Sequence, residues 1–322
     1  MKHIAISDMT SGAEIRQFFV LNNKEERVTK RGDPFWDVTL SDATGKIKGK
    51  VWSDSLNRCQ GNLEPGSVVG AAGTVQMYQD EPQLAVTYLA DVDTIKEQGG
   101  DVSGLDMSLL LASTKYDVEA MWRELLDMVD THISHDELKN LVTAIFEEHE
   151  QAIKQMPAAL LYHHSYRGGL LEHCYTLMKS VVAWYEWERT GNRDLMIAGA
   201  ALHDIGKIFE IEGTGVYEKT LEGRLCGHII QGRDLVREAA LKMEFSDTAL
   251  LTQLEHIILS HHGQLEFGSP VPPKTREAFI VHSLDDLNAK LKMIDDHTAK
   301  GDKGAGFTEY HRVLKREFLV NK

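Results

Sequence analysis

Apolar and polar residues alternate with a period of two through "PFWDVTLSDATGKIKGKVW", on either side of an Asp-Ala-Thr-Gly turn. Phe35, Asp37 and Thr39 fall on one face of the first strand, and Trp36, Val38 and Leu40 on the other. "IRQFFVLNNKEERVT" predicts an earlier strand, and "GSVVGAAGTVQMYQDEPQLAVTYLADV" two more around "QDEPQ". Five short strands in the first hundred or so residues predict a small closed β-barrel. After the loop "KEQGGDVSGLDMS" the period becomes helical. "DVEAMWRELLDMVDTHI", "HDELKNLVTAIFEEHEQAIKQM" and "LLEHCYTLMKSVVAWYEWERTG" each carry a helical apolar stripe, with Gly191 and Asn192 as a stop for the last. "TAKGDKGAGF" reads as a glycine-rich loop. The expected fold is multi-domain α+β, with a β-barrel over residues 1–98 followed by an all-α bundle over residues 99–322.

Composition narrows the partners. The chain has 322 residues, 42% of them hydrophobic, enough to bury a core in each of two domains. Its net charge of −14 argues against a protein that coats nucleic acid by bulk charge. A local basic groove stays possible, because charges act over a Debye length of about 8 Å. Residues 1–100 hold 11 basic and 14 acidic side chains, the remainder 24 and 35, so the barrel half is the less acidic. Cys59, Cys174 and Cys226 lie far apart with no CxxC spacing, which argues against a disulfide framework or a zinc knuckle. With no apolar leader and no long apolar run, a soluble cytoplasmic protein without a membrane partner is expected. The apolar faces of "MWRELLDMV" and "VVAWYEWE" could pair copies into a homo-oligomer.

"SDATGKIKGKVW" resembles the first hairpin of an OB-fold, a barrel that binds single strands by stacking bases on aromatics and holding phosphates with basic groups. Phe35, Trp36, Trp52 and Tyr78 are the aromatic candidates, with Lys48 and Lys50, and also Lys46 and Arg31, for phosphate. The competing use of such aromatics is to fill the barrel.

Fifteen histidines is a high count, and several lie in or at the end of apolar helical runs. His173, His203 with Asp204, His228, His261 with His262, and Asp285 form that series. One buried histidine is explained by a hydrogen bond, but so many in one helical domain call for a common partner. Imidazole and carboxylate together suit first-row divalent ions, and a carboxylate such as Asp204 can face two of them. Without cysteine the set leans from structural zinc toward Mn²⁺ first, then Fe²⁺, Co²⁺ or Mg²⁺.

The series resembles the two-metal form of the HD-domain phosphohydrolases. With "HHSYRGGLLEH", "GAALHDIGKIFE", "GRLCGHIIQG", "ILSHHGQLEFGSPVPPKTREA" and "HSLDDLNAK" it is similar to the YhaM-type 3′–5′ exoribonucleases, which carry an OB-fold before an HD domain. The resemblance implies one metal on His173, His203, Asp204 and Asp285, and a second on Asp204, His228, His261 and His262. Asp285 is preferred to Asp286 by the family pattern, from which Asn288 departs. Glu172 and His256 are held in reserve as ligands. Lys207, one turn beyond Asp204, and His164 and Arg167, before the first ligand, are candidates to contact the scissile phosphate or the leaving group. The implied activity is two-metal hydrolysis of single-stranded RNA from its 3′ end, with single-stranded DNA as a further substrate. An HD nucleotide phosphohydrolase or a cyclic-dinucleotide phosphodiesterase would show the same ligand series; the barrel, which can hold a polymer, favours the exonuclease. Outside the enzymes stands an OB-fold binding protein whose HD domain holds structural metal.

Overall fold

A computed structural model describes residues 3–79, 81–159, 166–213, 217–299 and 306–320. The chain divides into two compact units, Met1–Ser113 with Gly213–Glu218, and Thr114–Glu212 with Lys219–Lys322.

The first unit is an OB-fold barrel. Its strands are β1 (Glu14–Val28), β2 (Pro34–Asp42), β3 (Gly45–Val51), the two-residue β4 (Cys59–Gln60), β5 (Val68–Tyr78) and β6 (Glu81–Asp91). They lie in the order β3-β2-β1-β5-β6-β4, and a parallel pairing of β3 with β6 closes the barrel. The register of β1 slips between Leu21 and Asn23, so its first half pairs with β5 and its second with β2. An extra residue there bends the strand around the corner of the barrel. Alternation holds as expected: Val38 and Leu40 point inward beside Phe19, Ile47, Val51, Leu84 and Leu89, all buried. Each such side chain contributes about 1.5–3 kcal/mol by leaving water.

Two short helices flank the stretch expected to be a loop and overlap its two ends, α1 (Val92–Glu97) and α2 (Met107–Leu110). Asp91 starts α1: its carboxylate accepts from the amides of Asp93 and Thr94, the Thr94 hydroxyl and the amide of Asn62. A single carboxylate thus supplies the start signal that the hydrophobic pattern lacks.

The second unit is helical: α3 (Val118–His132), α4 (Asp136–Gln155), α5 (Gly169–Glu188), α6 (Arg193–Leu202), α7 (Lys207–Glu210), α8 (Leu221–Leu225), α9 (Gly227–Lys242), α10 (Thr248–Ser260) and α11 (Arg276–Ala299). The middle of the core is α6, buried from Leu195 to Leu202 all round its circumference. A helix apolar on every side belongs inside a domain, and this one delivers His203 and Asp204 to its centre. Helix α5 ends at Glu188, three residues before Gly191, with Arg189 left-handed at φ 47°. Asn192, expected to stop α5, starts α6 instead: its Oδ1 accepts from the Leu195 amide at 3.1 Å. The α3 face considered for pairing copies is spent internally, since Met121, Trp122, Leu125 and Val129 are all in the core. In "VVAWYEWE", Val181 is buried and Trp187 is 86% exposed. The predicted loop "TAKGDKGAGF" falls largely on residues 300–305, outside the described residues. No helix among the described residues is long and apolar enough to cross a membrane.

Candidate metal centre and barrel face

Five segments converge on one buried centre. His173 comes from the first turns of α5, and His203 and Asp204 follow the last residue of α6. His228 stands at the start of α9, His261 and His262 follow α10, and Asp285 lies within α11. Close approach of the chain makes this possible at Gly206, where an added Cβ would meet the His228 carbonyl oxygen at 2.0 Å. Any side chain there would push the start of α9, and His228 with it, away from Asp204.

Asp204 turns its two oxygens to two groups. Oδ2 lies 3.4 Å from Nε2 of both His173 and His203, and Asp285 Oδ1 is 3.1 Å from His173 Nε2. Oδ1 lies 3.3 Å from His228 Nε2 and 3.5 Å from His261 Nε2. In each of three sets the ligand atoms fall within 4.8 Å of one another: His173, His203 and Asp204; His228, His261 and His262; His203, His261 and Asp285.

The far nitrogens aim the rings. His203 Nδ1 is 3.0 Å from the Ala200 carbonyl, His261 Nδ1 2.7 Å from that of Ile258, and His262 Nδ1 2.7 Å from that of Phe267. His228 Nδ1 is 2.9 Å from Glu210 Oε2. Carbonyls and carboxylates only accept, so Nδ1 carries the proton in all four rings and the Nε2 lone pair is left for the centre. The result is a concentration of acceptors: Asp204 Oδ1, His228 Nε2 and His261 Nε2 are buried with no hydrogen-bond partner. Buried orphans of this kind cost about 1–3 kcal/mol each, and one cation would satisfy all three. The donor set therefore fits a divalent ion bound by nitrogen and oxygen.

Electrostatics agree. Burial is the largest influence on His261, whose pKa falls to about 3, and on His173, which is also lowered; both keep the neutral form that binds metal. His203 moves up because the adjacent Asp204 outweighs its burial, and a cation would take the place of that proton. Burial pushes Asp204 up, yet the Lys207 ammonium and His203 hold it well below the carboxylate range. Asp285 is held low in the same way, His173 and His203 overcoming its burial. Glu210 falls to about 2, burial being outweighed by His228 and by Lys219, whose Nζ is 2.7 Å away.

Other candidates are placed as follows. Lys207 is buried, and its Nζ donates to Asp204 Oδ2 at 2.6 Å. Arg167 is exposed, and its carbonyl accepts from the Thr114 amide. His164 lies outside the described residues. Glu172 is buried and accepts from the Tyr166 hydroxyl at 2.9 Å. His256 Nε2 accepts from the Lys274 amide at 2.8 Å, pinning the proline-rich loop. Neither belongs to the three sets. Asn288 donates to Ser180 Oγ at 3.2 Å, tying α11 to α5. Sequence reasoning passed over Glu210 and His282. The His282 Nδ1 donates to the His261 carbonyl at 2.7 Å and fixes that ligand's backbone. Glu210 sits buried on the one-turn α7, six residues after Asp204, and only its bond to His228 reveals its part.

On the barrel, Phe35 and Trp52 pack with their rings tilted by 34° and 5.3 Å between centroids, and the Lys50 ammonium lies 4.5 Å from the Phe35 ring. Trp36 lies against the barrel core with Lys24 4.7 Å from its ring, and Tyr78 is 57% exposed at the β5–β6 turn. The cations of this face are matched by acids. Lys48 pairs with Glu81 at 3.2 Å, Lys50 with Asp37 at 2.7 Å, and Arg27 with Glu25 at 2.6 Å and Asp37 at 3.1 Å.

Comparison with known proteins agrees with this architecture. An HD-domain family model matches residues 161–290, and one for an OB-fold nucleic acid binding domain matches residues 20–92. A third, for a helicase, matches residues 110–185 and takes in His173 without the other ligand candidates. The chain is 30% identical to the 3′-5′ exoribonuclease YhaM of Geobacillus sp. over 95% of its own length and 92% of that protein. It is 30% identical to YhaM of Bacillus subtilis, covering 88% and 87% of the two chains. Against YhaM of Listeria welshimeri the identity is 29%, over 92% of each. An OB-fold barrel, an HD-type helical unit with its His/Asp centre, and this likeness along nearly the whole chain assign the protein to the YhaM family of 3′–5′ exoribonucleases.

Proposed function

We propose that this protein shortens single-stranded RNA from its 3′ end, releasing nucleoside 5′-monophosphates at a centre of two divalent cations, Mn²⁺ foremost. The observation that carries this is Asp204, whose two oxygens address two separate histidine groups. His173, His203, Asp204 and Asp285 would hold one cation, and Asp204, His228, His261 and His262 the other. Such a pair supplies an activated water and neutralises charge on the phosphodiester oxygens, so no protein nucleophile is required.

The chain's own groups do the rest. Glu210 and the three carbonyls hold the imidazoles in the ligand tautomer. Lys207 donates to Asp204 Oδ2, and beside a bound strand its ammonium would serve as a point charge for a phosphate oxygen. Arg167, with no side-chain partner among the described residues, is a second phosphate contact, and His164 a donor to the leaving group. The barrel retains the body of the strand while its end reacts, with Phe35, Trp36, Trp52 and Tyr78 offered for stacking and Lys48 and Lys50 for phosphates. Stacking does not distinguish the sugars, so single-stranded DNA is expected to be a substrate as well.

A 5′-labelled strand on a denaturing gel tests the proposal. The expected result is a ladder shortening from the 3′ end that EDTA stops and Mn²⁺ restores. An intact strand, beside rapid hydrolysis of a mononucleotide or cyclic dinucleotide, would overturn it.

A further inference from the structure

A groove crosses the outer face of β1, β5 and β6. It has a volume of about 670 Å³, and all of its lining residues come from the first unit. Its plan follows from strand register. Phe18 pairs with Gly70 and Arg16 with Ala72, while Ala72 pairs in turn with Tyr88. Arg16, Phe18, Ala72 and Tyr88 therefore point to the same outer face. The middle strand carries only Gly70 and Ala72 there, so the two aromatic rings stand on strands about 10 Å apart, separated on that strand by residues without a large side chain. At one end Ile95 of α1 closes the floor: a Cβ added at Gly70 would meet its Cδ1 at 2.6 Å. Arg58 reaches the groove from the turn before β4.

Charge distinguishes this groove from the β2–β3 face. There Arg27, Lys48 and Lys50 each lie within 3.2 Å of a carboxylate, and the three cations meet Glu25, Asp37 and Glu81. Exposed pairs of this kind are weak, about 0–1 kcal/mol, so a phosphate can compete for the lysines, but the paired acids reduce the field that draws it in. In the β1–β5–β6 groove Arg16 and Arg58 are exposed, and neither guanidinium has a hydrogen bond or ion pair among the described residues. The one carboxylate in the lining, Asp101, is occupied by the amide of Ser103 at 2.8 Å.

We infer that the β1–β5–β6 groove is a binding site for single-stranded RNA, in which Arg16 and Arg58 hold consecutive phosphates and Phe18 and Tyr88 flank a base. Two unpaired guanidinium forks beside two rings match that ligand: a planar anion-binding donor for the backbone and a π-face for the base. The volume lies in the range of about 300–1,000 Å³ usual for nucleotide-sized ligands. The site rests on the exonuclease proposal for its choice of polymer, but not for its geometry.

The test is equilibrium binding of a 5′-labelled oligouridylate to the full chain in EDTA, over a series of salt concentrations. Arg16→Ala with Arg58→Ala is expected to weaken binding about tenfold and to lower the slope of log K against log salt by about 1.4, two phosphates at about 0.7 each. Arg16→Lys with Arg58→Lys should keep the slope, which separates lost charge from a damaged barrel. Lys48→Ala with Lys50→Ala should change the slope less, since those cations already have partners. An unchanged slope in the double alanine variant overturns the inference. If the same strand is then shortened from its 3′ end once Mn²⁺ replaces EDTA, only the groove has failed; if it stays intact in Mn²⁺, the exonuclease proposal has failed independently.

Discussion

At the residue scale the proposed chemistry turns on Asp204. One carboxylate addresses His173 and His203 through Oδ2, and His228 and His261 through Oδ1. Asp204→Ala should abolish turnover, at least 10³-fold in rate, while strand binding in EDTA stays within a factor of about two to three; gel assays and filter binding measure both. Glu210 acts at one remove, by holding His228 through Nδ1. Glu210→Gln keeps the shape but loses the charge, and should raise the Mn²⁺ concentration giving half-maximal activity by about 10–100-fold, with much of the rate recovered at saturating metal. The histidines and aspartates that the fold brings together stand out in the sequence because each interrupts an apolar run. Glu210 and His282 do not, because their meaning lies in contacts across 18 and 21 residues that no local pattern encodes.

At the element scale, most strands and helices follow from period alone. The exceptions sit where a single side chain sets a boundary. Asn192 shows this, as a residue that could end one helix and in fact begins the next. Helix α1 shows it too, since Asp91 gathers four hydrogen bonds that a hydrophobicity pattern cannot register. Asp91→Ala should destabilise the barrel by about 1–2 kcal/mol, as read by denaturant unfolding. Burial would raise the Asp91 pKa, but the Thr94 hydroxyl and the three amides outweigh it and lower it below 3.8. A depressed carboxylate stabilises the fold above its unfolded value, and that contribution disappears as pH falls through the folded one. The gap between wild type and variant should therefore be full at neutral pH and should narrow as the pH drops below 3.8.

For the whole molecule, the barrel and the bundle each own a hydrophobic core, and the candidate metal ligands all lie in the bundle. A ligand that binds only the folded state stabilises it by about 2.7 kcal/mol at one hundred times its Kd. Mn²⁺ at that excess should raise the melting temperature of the helical signal by several degrees, and the Asp204→Ala variant should lose most of the shift. Net charge does not show which cations are free. The chain is acidic overall, and the lysines conspicuous in "GKIKGKVW" have carboxylates at hand in the fold, while Arg16 and Arg58 are inconspicuous in the sequence and without an ion pair among the described residues.

The ring-to-carbonyl bonds of His203, His261 and His262 have an effect on assembly as well. Each spans only three to five residues, so each imidazole is oriented as soon as its own turn of chain has formed. The cage is thus shaped during folding rather than by its guest. A chelated, urea-unfolded sample diluted into metal-free buffer should recover its near-ultraviolet dichroism first, and bind Mn²⁺ afterwards in a fast step that requires no further refolding.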